Sequence, residues 1–452
     1  MYSVEAERNA ALRNKVAPRD RNSSLIFFAA FAVENQGTGI FVLSVFFNHL
    51  KGVVTMGAIT GNKQGIKVLI TGAVLQLFLG IIYVWSVFVQ PVAAFYTWDV
   101  ESVKLTSSFM LCFFVVGILI GGKLQAKIGA AKTVLMGGLM LALGMLASSF
   151  IPQEHPWLIY IAYGIVGGFG VGAAYNAIIS AAQKWFPKNR GFATGISVCA
   201  FGFSTVVFAP LVEALVSQFA LQGTFQILAL AFFVVVMIFF SFIKAPDEGA
   251  AAAAQVQTDK RQYTVSEILK TKNFYFITLS LMLGTAAFFI LNPAFKSLAI
   301  ERGLDSGIGT VLVMMTGIAN ALGRLGVPLL SDKIGREKAA FITIAVTALG
   351  AALLCFVQGA VFMAVVAVIA FCYGGYSGIY PVITADYFGI KNVGSNYGAV
   401  MIGFALSALA FPMVISMISD PIVKFIVLAA LAAVGAVLVV LLMGSKKKNS
   451  KG

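Results

Sequence analysis

The chain has 452 residues, of which 59% are apolar and only 11% are Asp, Glu, Lys or Arg, where a soluble domain carries roughly 25%. Disorder, coiled coil, collagen and a disulfide scaffold are excluded, and a soluble enzyme of this size would lack the charges to cover its surface. The formal net charge of +14 raises nucleic acid as a partner, but the basic residues sit between apolar runs, where the membrane topology rule places them.

Mean hydropathy is +0.92. The apolar stretches are near-continuous runs of ~20 residues, the length of a membrane-crossing helix. A transmembrane barrel needs ~10-residue segments of alternating polarity instead. An all-α membrane protein is therefore expected, because helices satisfy every backbone group in lipid.

In chain order, residues 1–55 stand apart. Leu25–Val33 and Ile40–Phe47 are apolar but flank Glu34, Asn35 and Gln36, so a span there would bury a carboxylate and two amides. We expect 1–55 to be a poorly ordered extension, or translation to start at Met56. Twelve spans follow, at 66–95, 104–122, 133–151, 157–182, 192–217, 223–243, 274–299, 307–330, 339–357, 359–385, 395–418 and 421–443. A polar stretch, Lys244–Lys272, separates the sixth from the seventh. The expected organisation is a six-helix bundle over 56–243, a solvated linker over 244–272, a second six-helix bundle over 273–443 and a basic tail over 444–452.

Lys and Arg concentrate in alternate connections, from Lys63 and Lys67 through the central linker to the KKKNSK tail. Only Lys104, Lys296, Arg302 and Lys424 fall on the other side. Cytoplasmic excess of Lys and Arg puts both termini and the linker in the cytoplasm of a plasma-membrane protein. The four cysteines lie in apolar runs without paired spacing, and two histidines are too few for a histidine metal site. No metal or cofactor is expected.

The two halves repeat. Lys127-Ile128-Gly129 and Lys333-Ile334-Gly335 occupy the same turn at an offset of 206, and KWFPKNRGFATG from Lys184 parallels DYFGIKNVGSNYG from Asp386 at an offset near 202. Repeated bundles with a midplane site are a transporter plan.

Arg324 is the basic residue deep within a span, in GIANALGRLGVPLL. An arginine at the centre of a membrane helix costs at least ~2.5–3.5 kcal/mol on insertion scales. It needs a counter-charge, yet no Asp or Glu lies deep in another span. A mobile carboxylate substrate would supply one through two parallel hydrogen bonds. Further polar candidates are Tyr83, Tyr175, Asn176, Asn320 and the series Tyr373, Tyr376 and Tyr380, which shares a helix face. Each could equally serve packing between helices. No zinc-protease, Walker or nucleophile–histidine signature is present, so enzymatic activity and ATP-driven transport are not expected.

The turn motif after spans two and eight resembles the signature of the major facilitator superfamily. Its second copy holds Asp332, Lys333, Gly335 and Arg336; the first holds Lys127 and Gly129 but has Ala126 where the acid belongs. YVWSVFVQPV (Tyr83–Val92), AAQKWFPKNRGFATG (Ala181–Gly195), NALGRLGVPLLSDKIGR (Asn320–Arg336) and YGGYSGIYPVITADYFG (Tyr373–Gly389) with NYG (Asn396–Gly398) resemble the oxalate/formate antiporter family and its monocarboxylate transporter relatives. The resemblance implies two pseudo-symmetric six-helix bundles, alternating access, and substrate carboxylate held at Arg324. It assigns the turn residues to gating, and Tyr83 and Tyr175 to the cavity. The oxalate carriers have a lysine in helix eleven where this chain has Phe404, and proton-coupled relatives have an aspartate where it has Asn320. One buried cation balances one carboxylate, so a small monocarboxylate of the formate, acetate, lactate or pyruvate class is expected. A dicarboxylate such as oxalate, an aromatic acid, or a sensor without flux are the alternatives. The expected partners are the organic anion, a co-transported proton or exchanged anion, and the lipid bilayer, with the protein a monomer.

Overall fold

A computed structural model describes residues 63–246, 261–292, 298, 306–418 and 420–449. The expectations for 1–55 lie outside the described residues, as do those for most of the central linker. Every described element is helical. The first crossing joins α1 (Lys63–Leu79) to α2 (Trp85–Tyr96) through a 3₁₀ turn, Gly80–Val84. Then come α3 (Val100–Ile128), α4 (Ala130–Ser148) and α5 (Gly168–Trp185), the last preceded by a π-helical stretch, Tyr160–Gly167. Helix α6 (Arg190–Phe239) is broken at Ala220, whose φ of 55° and ψ of −179° separate two crossings. After the short α7 (Val265–Ile268) come α8 (Lys272–Leu291), α9 (Ser306–Ile334) and α10 (Arg336–Leu353). The chain closes with α11 (Gly359–Phe388), α12 (Val393–Ser416) and α13 (Pro421–Asn449).

Nine stretches among the described residues are long and apolar enough to cross a membrane. The broken α6 counts once there but crosses twice, and α9 and α10 complete the twelve spans expected from sequence. The structure differs at the ends of α3 and α9, which run several residues past the apolar stretch. Both end on a glycine turn, Gly129 (φ 86°) and Gly335 (φ 96°). A side chain at such φ is strained, so glycine lets the chain reverse directly into the next helix. The basic tail differs too: it continues α13 to Asn449 rather than leaving the helix. Residues 261–264, expected to be solvated, dock onto the α11–α12 turn. The Tyr263 N–H donates to the Phe388 carbonyl at 3.0 Å, and Asn392 and Asn396 both donate to the Tyr263 carbonyl.

The internal repeat extends to packing. In the first bundle a Cβ at Gly117 would collide with the Phe169 carbonyl, and one at Gly172 with the Phe114 carbonyl. In the second, Gly323 meets the Phe371 carbonyl and Gly374 the Asn320 carbonyl. The α3 and α9 positions are offset by 206, the α5 and α11 positions by 202. Both halves therefore cross the same pair of helices backbone to backbone, as small residues permit in lipid. This crossing holds residue 324 at the inner edge of α9, facing the other bundle.

Candidate functional site

Arg324 is 1% exposed. Its Nε donates to Oδ1 of Asn320, one turn earlier, at 2.9 Å. Its Nη2 donates to the Tyr83 hydroxyl at 3.0 Å, so the guanidinium reaches across to the first bundle. It lies 5.4 Å from the Tyr83 ring centroid and 5.8 Å from that of Phe201, within the range where an aromatic face attracts a cation. Tyr83 reaches it from the 3₁₀ turn, where Gly80 packs directly on the Phe201 carbonyl. Both acceptors are neutral. Among the described residues no carboxylate lies within ion-pair distance of Arg324.

A narrow cavity adjoins the guanidinium, with room for about one water-sized group. Arg324, Tyr83, Tyr175, Tyr376 and Phe404 line it together with Phe114, Phe201, Leu281, Ser377, Tyr397 and Met401. The Tyr376 hydroxyl is engaged with Thr347 Oγ1 at 2.5 Å, so its ring rather than its hydroxyl serves as wall. Asn320 takes part through its bond to Arg324.

Two candidates, Asn176 and Tyr380, are placed elsewhere. Asn176 donates to the Ile118 carbonyl and to the Gly394 carbonyl, both at 2.8 Å, and so pins α12 to α3 and α5. Tyr380 donates to Ser280 Oγ at 2.9 Å, joining α11 to α8. Asn176 and Tyr380 are each committed to a neighbouring helix, because a polar group left unpaired in an apolar interior costs roughly 1–3 kcal/mol. Tyr373 does not line the cavity and stacks on Phe288 with centroids 3.8 Å apart, but its side chain is hydrogen-bonded to Tyr83 and lies close enough to interact with Arg324, so it belongs to the same cluster.

The turn motif forms a second constellation, at the end of the molecule where Gly129, Gly335 and Gly389 reverse the chain. Asp332 accepts from the backbone N–H groups of Gly191 and Phe192, at 3.3 and 2.9 Å. A carboxylate there complements the exposed amides and dipole of the α6 N-terminus. Arg336 pairs with Asp332 within α9–α10 and donates through Nε to Asp386 Oδ2 at 3.1 Å. Arg190 donates to Asp386 Oδ1 at 2.7 Å. The chain Arg190–Asp386–Arg336–Asp332 thus locks the start of α6 to the ends of α9 and α11. Lys127 and Lys333 are exposed beside it. In the first half, where Ala126 replaces the acid, Gly122 instead packs backbone to backbone on Gly394.

Several of these residues escaped the sequence reading. Phe201, Phe114 and Met401 are apolar residues in apolar runs, and periodicity cannot separate them from lipid-facing neighbours. Tyr397 sits inside the NYG motif, which was a usable signal. The Arg190–Asp386 pair was missed because each lies at a helix end, where a charge ordinarily meets water.

Two repeated helical bundles with a cavity around a buried cation between them have the plan of a membrane transporter. The family model of the Major Facilitator Superfamily matches residues 68–412, with a second match over 277–452, and the chain belongs to that superfamily. It is 24% identical over 345 residues to the uncharacterized MFS-type transporter YhjX of Escherichia coli, covering 75% of this chain and 85% of the relative. It is 24% identical over 329 residues to the oxalate:formate antiporter of Oxalobacter formigenes (71% and 76%) and 21% identical over 370 residues to human monocarboxylate transporter 12 (74% and 71%). Among solved structures it resembles the proton:xylose symporter XylE (TM-score 0.64, 12% identity, 82% of this chain and 94% of that one). It also resembles the human organic anion transporter MFSD10 (TM-score 0.62, 13% identity, 83% and 99%). At these identities the structural likeness concerns the fold alone.

Proposed function

We propose that this protein carries a small monocarboxylate across the plasma membrane by alternating access, with both termini and the central linker in the cytoplasm. The observation that carries the reading is the Arg324 guanidinium, buried at the bundle interface and, among the described residues, hydrogen-bonded to the neutral Asn320 and Tyr83 with no carboxylate at ion-pair distance. Bringing a single carboxylate to it supplies the missing counter-charge in low dielectric, where an unpaired ion costs several kcal/mol. The anion then joins the bundles, because Arg324 belongs to the second and its partner Tyr83 to the first. Phe404, in place of a second cation, leaves nothing to balance a second carboxylate, which favours formate-, acetate-, lactate- or pyruvate-like acids over oxalate. The names of the oxalate:formate and monocarboxylate relatives support the same substrate class.

Arg324 is the substrate anchor in this reading. Tyr83, Tyr175, Tyr376 and Phe404 shape the cavity around it, and Asn320 orients the guanidinium. The turn-motif residues Asp332, Arg336, Lys127 and Lys333, with Gly129 and Gly335, belong to the cytoplasmic gate.

The test is counterflow of labelled small acids into vesicles containing the purified protein. Wild type should accumulate a monocarboxylate. Arg324→Gln should abolish this, and Arg324→Lys, which keeps the charge but loses the planar fork, should retain at most a small fraction. Normal counterflow by a folded Arg324→Gln protein overturns the assignment.

A further inference from the structure

Phe404 borders two cavities. One is the narrow space at Arg324. The other is a crevice between the bundles, formed by Ser108, Leu111 and Cys112 of α3 with Ala405, Ala408 and Leu409 of α12, and open at its rim, where Ser108 and Leu409 are exposed. Along both helices it lies further from the closed turn end than the first. On α3, Ser108–Cys112 precede Phe114, and on α12, Ala405–Leu409 follow Met401 and Phe404. Its walls are apolar apart from one hydroxyl and one thiol.

The ring of Phe404 is buried, and its ring contacts are with two aromatic neighbours. It meets Phe289 edge-on at 4.9 Å and lies 6.3 Å from Tyr373. An aromatic edge contact is worth only ~0.5–1.5 kcal/mol beyond burial. Pairwise aromatic contacts of this size are compatible with a side-chain swing driven by ligand.

With room for about one water-sized group, the Arg324 cavity must widen to admit a carboxylate head and leaves no space for anything attached to it. Anything attached to that head must extend out of it, and the space on the other face of Phe404 is apolar. The geometry points to Phe404 as a movable partition, and to the α3–α12 chamber as the seat for the apolar tail of the carboxylate held by Arg324. This rests on the monocarboxylate reading and refines it. The favoured substrates are acids with a short alkyl tail, and the residues facing the chamber set their length.

The experiment is competition in the counterflow assay by formate, acetate, butyrate and hexanoate, with wild type, Ala408→Phe and the milder Ala408→Val. In wild type the apparent affinity should rise from acetate to butyrate by up to roughly fourfold per methylene buried. Ala408→Phe, which fills the chamber, should weaken butyrate at least tenfold and change formate less than twofold. Ala408→Val should move in the same direction and serves if the larger residue prevents folding. In a protein whose other cysteines are Ser, butyrate should slow modification of Cys112 by a small methanethiosulfonate, and formate should not. A flat chain-length series in wild type, equal losses for formate and butyrate in the Ala408 variants, or Cys112 modification indifferent to butyrate each overturn the chamber's role while leaving the anchor at Arg324 intact. Failure of every acid to counterflow removes the monocarboxylate reading and the tail site with it.

Discussion

Asp386→Asn tests the closed end of the molecule. Asp386 accepts from two guanidinium groups, Arg190 at 2.7 Å and Arg336 at 3.1 Å, and the first of these crosses between bundles. The side chains are 9% exposed for Arg190, 12% for Arg336 and 24% for Asp386. A fully buried pair broken on one side costs roughly 3–5 kcal/mol, and an exposed one about 0–1. These exposures place the loss between the two, at about 2 kcal/mol. The Asp332 bonds to the α6 amides persist in the variant, so the end should loosen rather than fall apart. About 2 kcal/mol corresponds to a roughly 30-fold shift in the ratio of turn-end-closed to turn-end-open molecules. Spin labels at Ala126 of α3 and Lys333 of α9, both exposed at this end, report that ratio as a distance distribution by pulsed electron resonance. The variant should gain a longer-distance population without substrate. A distribution identical to wild type would show that the Arg190–Asp386 pair does not hold the end shut.

Three further outcomes are expected. Asn320→Ala leaves the Arg324 Nε without its acceptor, and at roughly 1–3 kcal/mol for a buried unpaired donor the half-saturating acid concentration should rise by about tenfold or more in counterflow. Gly323→Val and its repeat-mate Gly117→Val each place a side chain against a carbonyl at the helix crossing. Both should destabilise the protein by about 1–3 kcal/mol, and comparably, as read by thermal unfolding in detergent. The Glu267 carboxyl in the α7 capping box is pushed down to about 2 from an ordinary 4.5, first by the Thr264 N–H and then by the Arg261 guanidinium. A carboxylate lowered on folding contributes above its unfolded value and loses that contribution as pH falls to the folded one. Protection of the 264–268 amides in hydrogen exchange, corrected for intrinsic rate, should therefore hold down to about pH 4.5 and decline between there and about 2.

The twelve crossings were legible because lipid demands long apolar runs and self-satisfied backbone, and both demands are written in composition. The break between the fifth and sixth crossings was expected between 217 and 223, and Ala220 is where it falls. Arg324 was legible for the opposite reason: a charge in an apolar run must be paired or used. What could not be read is which side of each helix faces inward. Phe201 lines the cavity and Phe203, two residues on, does not, and nothing in the sequence distinguishes them. Asn176 is equally suited, from sequence, to the cavity or to a helix interface. Its polarity marked it as buried, but the choice between cavity and helix interface depended on the close approach of Gly394, a tertiary event.

On the proposed function, the repeat accounts for a single cation at the bundle interface. Offsets of 206 and 202 superpose the crossings Gly117–Phe169 and Gly323–Phe371, so Ile118 and Arg324 hold matching places on α3 and α9. The same backbone position is thus presented twice to the interface and charged once. At the first copy the carbonyl of residue 118 accepts from Asn176, which also grips Gly394 in the opposite bundle. At the second copy Gly378 packs on the carbonyl of residue 324, and the side chain rather than the main chain spans the gap, through Tyr83. One repeat-related site binds the bundles by a fixed amide. The other binds them by a guanidinium whose partner is neutral and, in the proposed function, is displaced by the incoming anion. A ligand shifts a conformational equilibrium only by its difference in affinity between states. In the proposed function, a contact that a carboxylate competes for, placed at the interface that must move, supplies that difference, and a second fixed amide in its place could not.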